Sequence, residues 1–149
     1  MNSTQAQADG FLEHRDAGKV AAYAEELRRN DITYIYPGHK LYPGKLYDIP
    51  DPPMLLFAAG DVDVLADLDP AVAVVGARKA SVYGREAADR LSGELAASGV
   101  TIVSGMALGI DGAAHRAAMK AGGKTVAVLG SGINVPYPRE NYDISVSYT

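Results

Sequence analysis

The sequence predicts an α/β fold with a Rossmann-like, doubly wound and mainly parallel sheet. The prediction rests on three short runs of β-branched and apolar residues that each end in glycine, at residues 72–76, 101–105 and 125–130. Strands without polar–apolar alternation are buried on both faces, which is typical of a parallel sheet covered by helices. A helical segment follows each of the first two runs, and strand–helix–strand units form right-handed crossovers. We therefore expect an open sheet with helices packed on it.

Both crossover segments carry a stripe of apolar residues at helical spacing. Residues 84–97 and 109–121 therefore predict two helices, each with one buried face. The stripes comprise Ala87, Ala88, Leu91 and Leu95 in the first helix and Ile110, Ala113, Ala114, Ala117 and Ala118 in the second. Gly99 and Gly122 follow the helices, and glycine commonly ends a helix because it adopts the left-handed conformation.

One amphipathic helix is expected in front of the sheet. Apolar residues recur at helical spacing over residues 17–30, after a polar tail at residues 1–10. The stripe stops at Asn30, which tolerates a left-handed cap. We therefore divide the chain into residues 1–30, a tail and a helix, and residues 31–149, a partial Rossmann domain.

Two β-rich runs lie between that helix and the parallel sheet, at residues 32–36 and 54–57. The intervening residues 37–53 contain five prolines and a Pro-Gly turn signal, which predicts an irregular connection.

The composition excludes several classes of protein. A chain of 149 residues is the size of one domain, since domains cluster near ~100 to 150 residues. The absence of cysteine excludes a disulfide framework, a thiolate zinc site and a cysteine nucleophile. No apolar run approaches the ~20 residues of a membrane helix, and the first residues lack the pattern of a signal peptide. We expect a soluble protein of the cytoplasm without a membrane span.

Charge is distributed unevenly along the chain, whose net charge is −4. Residues 1–71 hold 6 Lys and Arg against 12 Asp and Glu, whereas residues 72–149 hold 8 against 6. Such asymmetry suggests a surface that faces a polyanion, and ordinary solvation of two surfaces explains it equally well.

The glycine ends of the three runs predict an anion-binding edge. Ligands of such sheets bind beyond the carboxyl ends of the strands, where glycine admits a phosphate and a helix N-terminus offers N–H groups. Arg78 and Lys79 lie at the first turn, and Ser81 can cap the following helix or donate to a phosphate. Arg139 and Lys124 flank the third run, with Lys124 at its opening and so farther from this edge.

Glycine after a buried strand also occurs simply because the chain must turn, so scaffold chemistry remains an alternative at each of these positions. The dinucleotide fingerprint is incomplete, since Arg78 stands where its second glycine would be, which disfavours an NAD-type dehydrogenase.

A Ser/His/Asp hydrolase could be built from Ser104, His115 and Asp111. No nucleophile elbow surrounds the serine, however, and the other two residues are four apart on one helix. A helix-start aspartate with an i,i+4 partner is the better interpretation, and the pair lacks the further ligands of a zinc site. Tyrosines near prolines are candidates for base stacking or for packing: Tyr36, Tyr42 and Tyr137.

Four motifs in order carry a family resemblance. They are VVGARKASVYG at residues 74–84, VSGMALGIDGAAH at 103–115, GGKTVAVLG at 122–130 and YPREN at 137–141. In this order they resemble the DNA processing protein A family, also called Smf, and residues 42–61 are similar to the segment that precedes this core in the family.

The resemblance implies an extended Rossmann fold that binds single-stranded DNA and loads the RecA recombinase onto it during natural transformation, without an enzymatic step, a metal or a cofactor. It implies that Arg78 is the principal DNA contact, that Lys124 is a basic partner, and that the glycine ends with Ser81, Ser104 and Asn141 form a pocket for a phosphate and an unstacked base. The predicted nucleic-acid-binding residues are Gly76, Arg78, Lys79, Ser81, Gly84, Ser104, Gly105, Lys124, Gly130, Arg139 and Asn141.

The chain departs from the family pattern by stopping at Thr149, where the family's Rossmann domain continues. We therefore expect an incomplete Rossmann domain with an unpaired edge strand. The family's RecA contact and homodimer depend mainly on the later part, so both stay open for this chain. A nucleotide-hydrolysing enzyme similar to the lysine-decarboxylase-like phosphoribohydrolases is the alternative function, although their Pro-Gly-Gly-x-Gly-Thr stretch is missing. A chain without independent activity is the third interpretation.

Overall fold

The computed structural model describes residues 16–133, 135, 138–141 and 144. In chain order, its regular elements are a helix, three strands, a helix, a strand, a helix and a strand. They are α1 (Ala17–Arg29), β1 (Thr33–Ile35), β2 (Leu56–Ala58), β3 (Ala71–Ala73), α2 (Val82–Ala97), β4 (Thr101–Ser104), α3 (Ile110–Lys120) and β5 (Thr125–Ala127). Short 3-10 helices span Gly44–Asp48, Val62–Ala66 and Arg139–Asn141.

The second half of the chain forms a parallel sheet in the order β3, β4, β5. Val72 pairs with Ile102, and Val103 with Val126. This confirms the predicted α/β class with a mainly parallel, Rossmann-like sheet. The strand order runs in one direction, so right-handed crossovers place α2 and α3 on the same face, where the two helices contact each other. The reversal of strand order that makes a sheet doubly wound is not among the described residues.

Small side chains let the helices approach the central strand closely. Ile102 on β4 is fully buried, and it packs with Ala96 of α2 and with Ala114 and Ala118 of α3. Gly123 follows α3 so near to α2 that an added Cβ would lie 2.6 Å from the Cβ of Ala96. The predicted stripe of α3 therefore forms much of this core, whereas the predicted stripe of α2 is wrong at Leu91, which is 52% exposed while the adjacent Ser92 is fully buried.

The opposite face of the sheet is more open than the sequence predicted. The expectation of burial on both faces holds for β4 but is wrong for β3, whose Ala73 is exposed, and for the loop residues just past β3 and β5, since Val75 is 75% exposed and Val128 is 63% exposed. The physical reason is the one-directional strand order, which places both crossover helices on the other face.

The first half of the chain packs around a two-stranded antiparallel sheet. Tyr34 of β1 lies opposite Phe57 of β2. Ile35, Leu41 and Tyr42 form the buried cluster beneath this sheet, so the proline-rich connection folds back onto the strands that it joins.

The helix α1 begins where Asp16 caps it, with the carboxylate accepting from the N–H groups of Gly18 and Lys19. It ends within one residue of the predicted position, but the left-handed residue is Asp31, with φ 53°, rather than Asn30. Gly99 and Gly122 do have positive φ after α2 and α3, as predicted. The polar tail at residues 1–10 lies outside the described residues, and the division after residue 30 stays a prediction.

In the part of the chain that the structure describes, no helix combines the length and the apolar character needed to cross a membrane.

Candidate functional site

The loops that follow the three parallel strands meet at one edge of the sheet, which we call the carboxyl edge. It comprises residues 74–81 after β3, 105–109 after β4 and 128–132 after β5. The N–H of Ile110 donates to the carbonyl of Ala77 at 3.3 Å, and the N–H of Val128 donates to the carbonyl of Ser104 at 2.9 Å. The predicted convergence of the strand ends is therefore present.

Backbone contacts hold the first two loops together. Gly109 has φ 82° and ψ −119°, a conformation open mainly to glycine. A Cβ at this position would lie 2.6 Å from the carbonyl oxygen of Arg78. Gly76 lies equally close to the side chain of Ile110, whose Cγ1 would be 2.6 Å from an added Cβ.

The N-terminus of α2 carries the cations of the carboxyl edge. Arg78 and Lys79 are exposed in the turn before the helix, and neither forms an ion pair with any described residue. The Arg85 guanidinium lies over the same turn, where its Nη1 donates to the carbonyl of Ala80 at 2.7 Å. The helix dipole adds partial positive charge here, so this helix end favours an anion.

Ser81 can cap this helix end and donate a hydrogen bond to a phosphate at the same time. Its Oγ accepts from the N–H of Gly84 at 3.1 Å, which confirms the predicted cap. A hydroxyl that accepts in this way still has its own proton to donate. The side chain is exposed, so the cap and a phosphate contact are compatible.

The N-terminus of α3, in contrast, is already neutralised by the chain itself. Asp111 lies in its first turn and is buried, and its Oδ2 accepts from the N–H of Gly105 at 3.2 Å. A second anion at this helix end would be repelled by that carboxylate. The two helix ends therefore differ, and only the α2 end is open to an external phosphate.

Asn141 is buried against the loop after β4. Its Nδ2 donates to the carbonyls of Met106 at 2.8 Å and Ala107 at 3.0 Å. Its Oδ1 accepts from Nη2 of Arg116 at 2.9 Å. Both N–H groups and the oxygen of the amide are thus hydrogen-bonded inside the protein.

These contacts correct the expected roles of several predicted site residues. The Ser104 hydroxyl is buried and donates to the carbonyl of Val74, so its proton does not face a ligand. Asn141 is a buried structural contact rather than a wall of an open pocket. Gly76 and Gly105 have no room for a side chain, since an added Cβ would lie 2.6 Å from Ile110 and 2.9 Å from Asp111, whereas at Gly84 the nearest atom is the Ser81 Oγ at 3.3 Å. A phosphate contact at these three glycines stays a prediction.

The residues predicted around the third strand are divided between two ends of the sheet. Lys124 precedes β5, and its carbonyl accepts from the N–H of Ile102. It therefore lies at the amino end of the strands, opposite to the carboxyl edge. Gly130 is exposed at the carboxyl edge with no atom close to an added Cβ. Arg139 is exposed in the 3-10 helix that Asn141 anchors to Met106, at the same edge.

The hydrolase constellation is not assembled. The Ser104 hydroxyl is directed to Val74, and Nδ1 of His115 lies 2.7 Å from Oγ1 of Thr125 rather than beside a serine. Asp111 is the helix-start aspartate that the sequence favoured, although its hydrogen bond is to Gly105. Among the described residues, no cluster of His, Asp and Glu is placed to hold a metal ion.

The tyrosines near prolines have different positions. Tyr42 is buried, and its hydroxyl donates to the carbonyl of Pro53 at 2.9 Å, so it is a packing residue. Tyr36 is exposed beside His39 in the first half of the chain. Tyr137 lies outside the described residues.

The protonation state of His115 follows from its neighbours. Oγ1 of Thr125 lies 2.8 Å from the carbonyl oxygen of Ile102 and 2.7 Å from Nδ1 of His115, so this hydroxyl links the imidazole to β4. The Nε2 atom is buried without a hydrogen-bond partner. Burial lowers the pKa of His115 from 6.5 to about 4, against an opposing effect of the nearby Asp111 carboxylate.

Sequence reasoning missed the residues that shape the loop after β4. Arg116 was not singled out, and Met106 has φ 55°, which is uncommon for a residue other than glycine. No periodicity or motif signals either feature. Tyr83, 80% exposed in the first turn of α2, was likewise missed although it lies within the first motif.

Comparison with protein families gives one match that covers most of the chain. Residues 33–147 match the model of the family described as DNA recombination-mediator protein A. DNA processing protein DprA of Bacillus subtilis is 40% identical over 126 residues, which is 85% of this chain and 41% of that protein. Protein Smf of Escherichia coli is 41% identical over 141 residues, or 89% of this chain and 37% of that protein. The chain thus spans less than half the length of these relatives.

Two solved structures have the same fold. The crystal structure of DNA processing protein A from Streptococcus pneumoniae superposes with a TM-score of 0.70 at 37% identity, over 83% of this chain and 44% of that one. The Helicobacter pylori protein, whose structure addresses a unique mode of single-stranded DNA binding, gives a TM-score of 0.65 at 30% identity, over 76% of this chain and 49% of that one.

We predict that Gly109→Ala is more destabilising than Gly99→Ala. Both glycines have positive φ, at 82° and 86°, but only position 109 lacks space for a Cβ. The clash with the Arg78 carbonyl should add about 1 to 3 kcal/mol to the shared conformational penalty. Urea denaturation of both variants measures the difference, and equal losses would contradict the close backbone contact.

We also predict that His115 makes the protein less stable in acid. The unfolded state takes up a proton near pH 6.5 and the folded state only near pH 4. The contribution of His115 to the free energy of unfolding is therefore constant above pH 6.5, falls as the pH drops towards 4, and then levels off after a loss of about 3 kcal/mol.

An NMR titration of the imidazole protons should place the midpoint of His115 well below 6.5, and denaturation curves of His115→Gln should lack this pH-dependent component. A midpoint at the ordinary value of histidine would contradict the prediction.

Proposed function

The chain belongs to the DNA recombination-mediator protein A family, and from this membership we propose that the carboxyl edge of its parallel sheet binds the backbone of single-stranded DNA. The observation that carries the proposal is the difference between the two helix ends. Arg78 and Lys79 are exposed and without an ion pair to any described residue at the open N-terminus of α2, whereas Asp111 already occupies the N-terminus of α3.

A phosphate at the α2 end meets three kinds of donor. The Arg78 guanidinium and the Lys79 ammonium form charge-assisted hydrogen bonds with phosphate oxygens. The Ser81 hydroxyl donates its remaining proton while it accepts from Gly84. Arg139 extends the positive surface along the same edge. None of these donors reads a base, so binding is expected to be independent of sequence.

Base stacking supplies the second part of the proposed interaction. Sites for single strands combine cations along the backbone with aromatic side chains on which bases stack. Tyr83 lies two residues after Ser81 and is 80% exposed, which leaves its ring free for such a contact. A duplex keeps its bases stacked inside, so this ring favours the single strand.

The activity of the whole protein is part of the same proposal, since the chain spans less than half of its relatives. We assign it to DNA recombination and transformation in the cytoplasm, with RecA and a second copy of the chain as partners. The names of the relatives, which refer to DNA processing and recombination mediation, support this assignment. The alternative of a nucleotide-hydrolysing enzyme gains no support from the matched family and relatives, whose names refer to DNA processing and recombination mediation.

We predict that Arg78→Ala weakens binding to labelled oligo-dT about tenfold, as expected when one charge-assisted hydrogen bond to a phosphate is removed. Fluorescence anisotropy at several salt concentrations measures the affinity. The log-log salt slope should decrease in magnitude by about 0.7 for each phosphate that the variant no longer neutralises.

The matched control for this variant is Arg90→Ala, which removes the same charge from an exposed position on α2 beside Lys120, away from the carboxyl edge. Lys124→Ala tests a second point. The family resemblance implies that Lys124 contributes to DNA binding, whereas its position at the amino end of the strands predicts an unchanged affinity. Equally weakened binding by the Arg78 and Arg90 variants would refute a specific site.

We further predict that Tyr83→Ala lowers the affinity for oligo-dT by about fivefold or more, given ~1 to 3 kcal/mol for each stacked base. Tyr83→Phe keeps the ring and should bind like the unmodified chain, and duplex binding should be unaffected by either change. An alanine variant with undiminished single-strand affinity would exclude stacking on this residue.

A further inference from the structure

The loop after β4 has an unusual backbone at residues 106–109, which belong to neither a strand nor a helix. Met106 has φ 55° and Gly109 has φ 82° within four residues. A non-glycine residue in the left-handed region persists only where its surroundings hold it there. The contacts that hold residues 106–109 therefore determine the shape of this part of the carboxyl edge.

The N–H of Gly112 on α3 donates to the Ala107 carbonyl at 3.1 Å, and Asn141 supplies two further contacts from a distant point of the chain. Its Nδ2 donates to two successive carbonyls of the loop, those of Met106 and Ala107. The orientation of the amide is unambiguous, because two carbonyls require the NH₂ group on one side and the Arg116 guanidinium requires the oxygen on the other. The amide thus joins two loop carbonyls to a cation on α3.

Arg116 and Gly112 fix the asparagine in turn. Arg116 donates both to Oδ1 of Asn141 and to the carbonyl of Glu140, each at 2.9 Å. An added Cβ at Gly112 would lie 2.9 Å from Oδ1 of Asn141 and 3.1 Å from Nη1 of Arg116. Arg116 of α3 therefore anchors the asparagine, and the absence of a side chain at Gly112 leaves room for its amide.

The loop at residues 106–109 is in direct contact with the turn that carries Arg78. The N–H of Ile110 donates to Ala77, and Gly109 contacts the Arg78 carbonyl with no room for a side chain. If residues 106–109 shifted, the backbone of the turn at residues 77–78 would lose this support. A continuous set of contacts thus connects Asn141 to Arg78 without passing through solvent.

We infer that Asn141 is a positioning residue, which sets the Arg78 turn for a phosphate through the loop at residues 106–109 and touches no DNA itself. The inference rests on the proposed function, since the phosphate backbone is the ligand that Arg78 is positioned for. It also replaces the role in an open pocket that the family resemblance implied for this residue.

The test is a double-mutant cycle in oligo-dT binding by the 149-residue chain. Asn141→Ala alone should weaken binding about fivefold to tenfold, which corresponds to ~1 to 1.4 kcal/mol. Because it acts through Arg78, the same substitution in an Arg78→Ala background should have little further effect. Ala118→Gly is the control for reduced stability, since Ala118 is buried in α3 and packs on the core at Ile102. This control should leave the affinity unchanged.

A second readout does not require DNA. Amide hydrogen exchange at Ile110 reports the hydrogen bond to Ala77, and it should accelerate in Asn141→Ala relative to Ala118→Gly at equal stability. Unchanged exchange at Ile110, or equal effects of Asn141→Ala with and without Arg78, would overturn the inference. If Arg78→Ala itself binds like the unmodified chain, the proposed function fails instead, so the two failures are distinguishable.

Discussion

The close contact between Gly109 and the Arg78 turn is the constraint on which the candidate site depends. Parallel strands bring their loops to one edge by topology, but topology alone leaves those loops free to take many shapes. Here the backbone of one loop lies directly on that of the other, without an intervening side chain. The turn that carries the exposed cations is therefore shaped by its neighbour rather than by its own sequence.

Charge then decides what this edge can accept. Two helices present their positive ends side by side, and each would attract an anion. Asp111 satisfies one of them from within the chain, whereas the other is surrounded by Arg78, Lys79 and Arg85. An exposed acidic residue near a basic surface would weaken an anion site. The hydrogen bond from Gly105 instead confines the negative charge of Asp111 to the interior of the loop and leaves the positive end of α2 as the exposed one.

Much of the fold could be predicted from the sequence, because hydrophobic periodicity and glycine placement are local signals. They located both crossover helices and the three parallel strands, and Ser81 caps α2, which was one of the two roles expected for it. The strand ends were placed too late: β3 ends at Ala73 and β5 at Ala127, because apolar residues continue into loops whose valines face solvent. The roles of Ser104 and Asn141 could not be predicted, since both depend on hydrogen bonds to residues at least 30 positions away.

The space left by Gly112 has a consequence for how such sequences can change over time. Asn141, Arg116 and Gly112 fit one another so closely that a side chain at position 112 would clash with Asn141, and loss of the asparagine amide would remove its hydrogen bonds to Met106 and Arg116. Single replacements at these sites should therefore be rare in evolution, and the three positions should covary as a unit. The aligned sequences of relatives would then show a coupled triplet whose outer members lie 29 positions apart, with only Asn141 outside α3, in the 3-10 helix beside the proposed DNA surface.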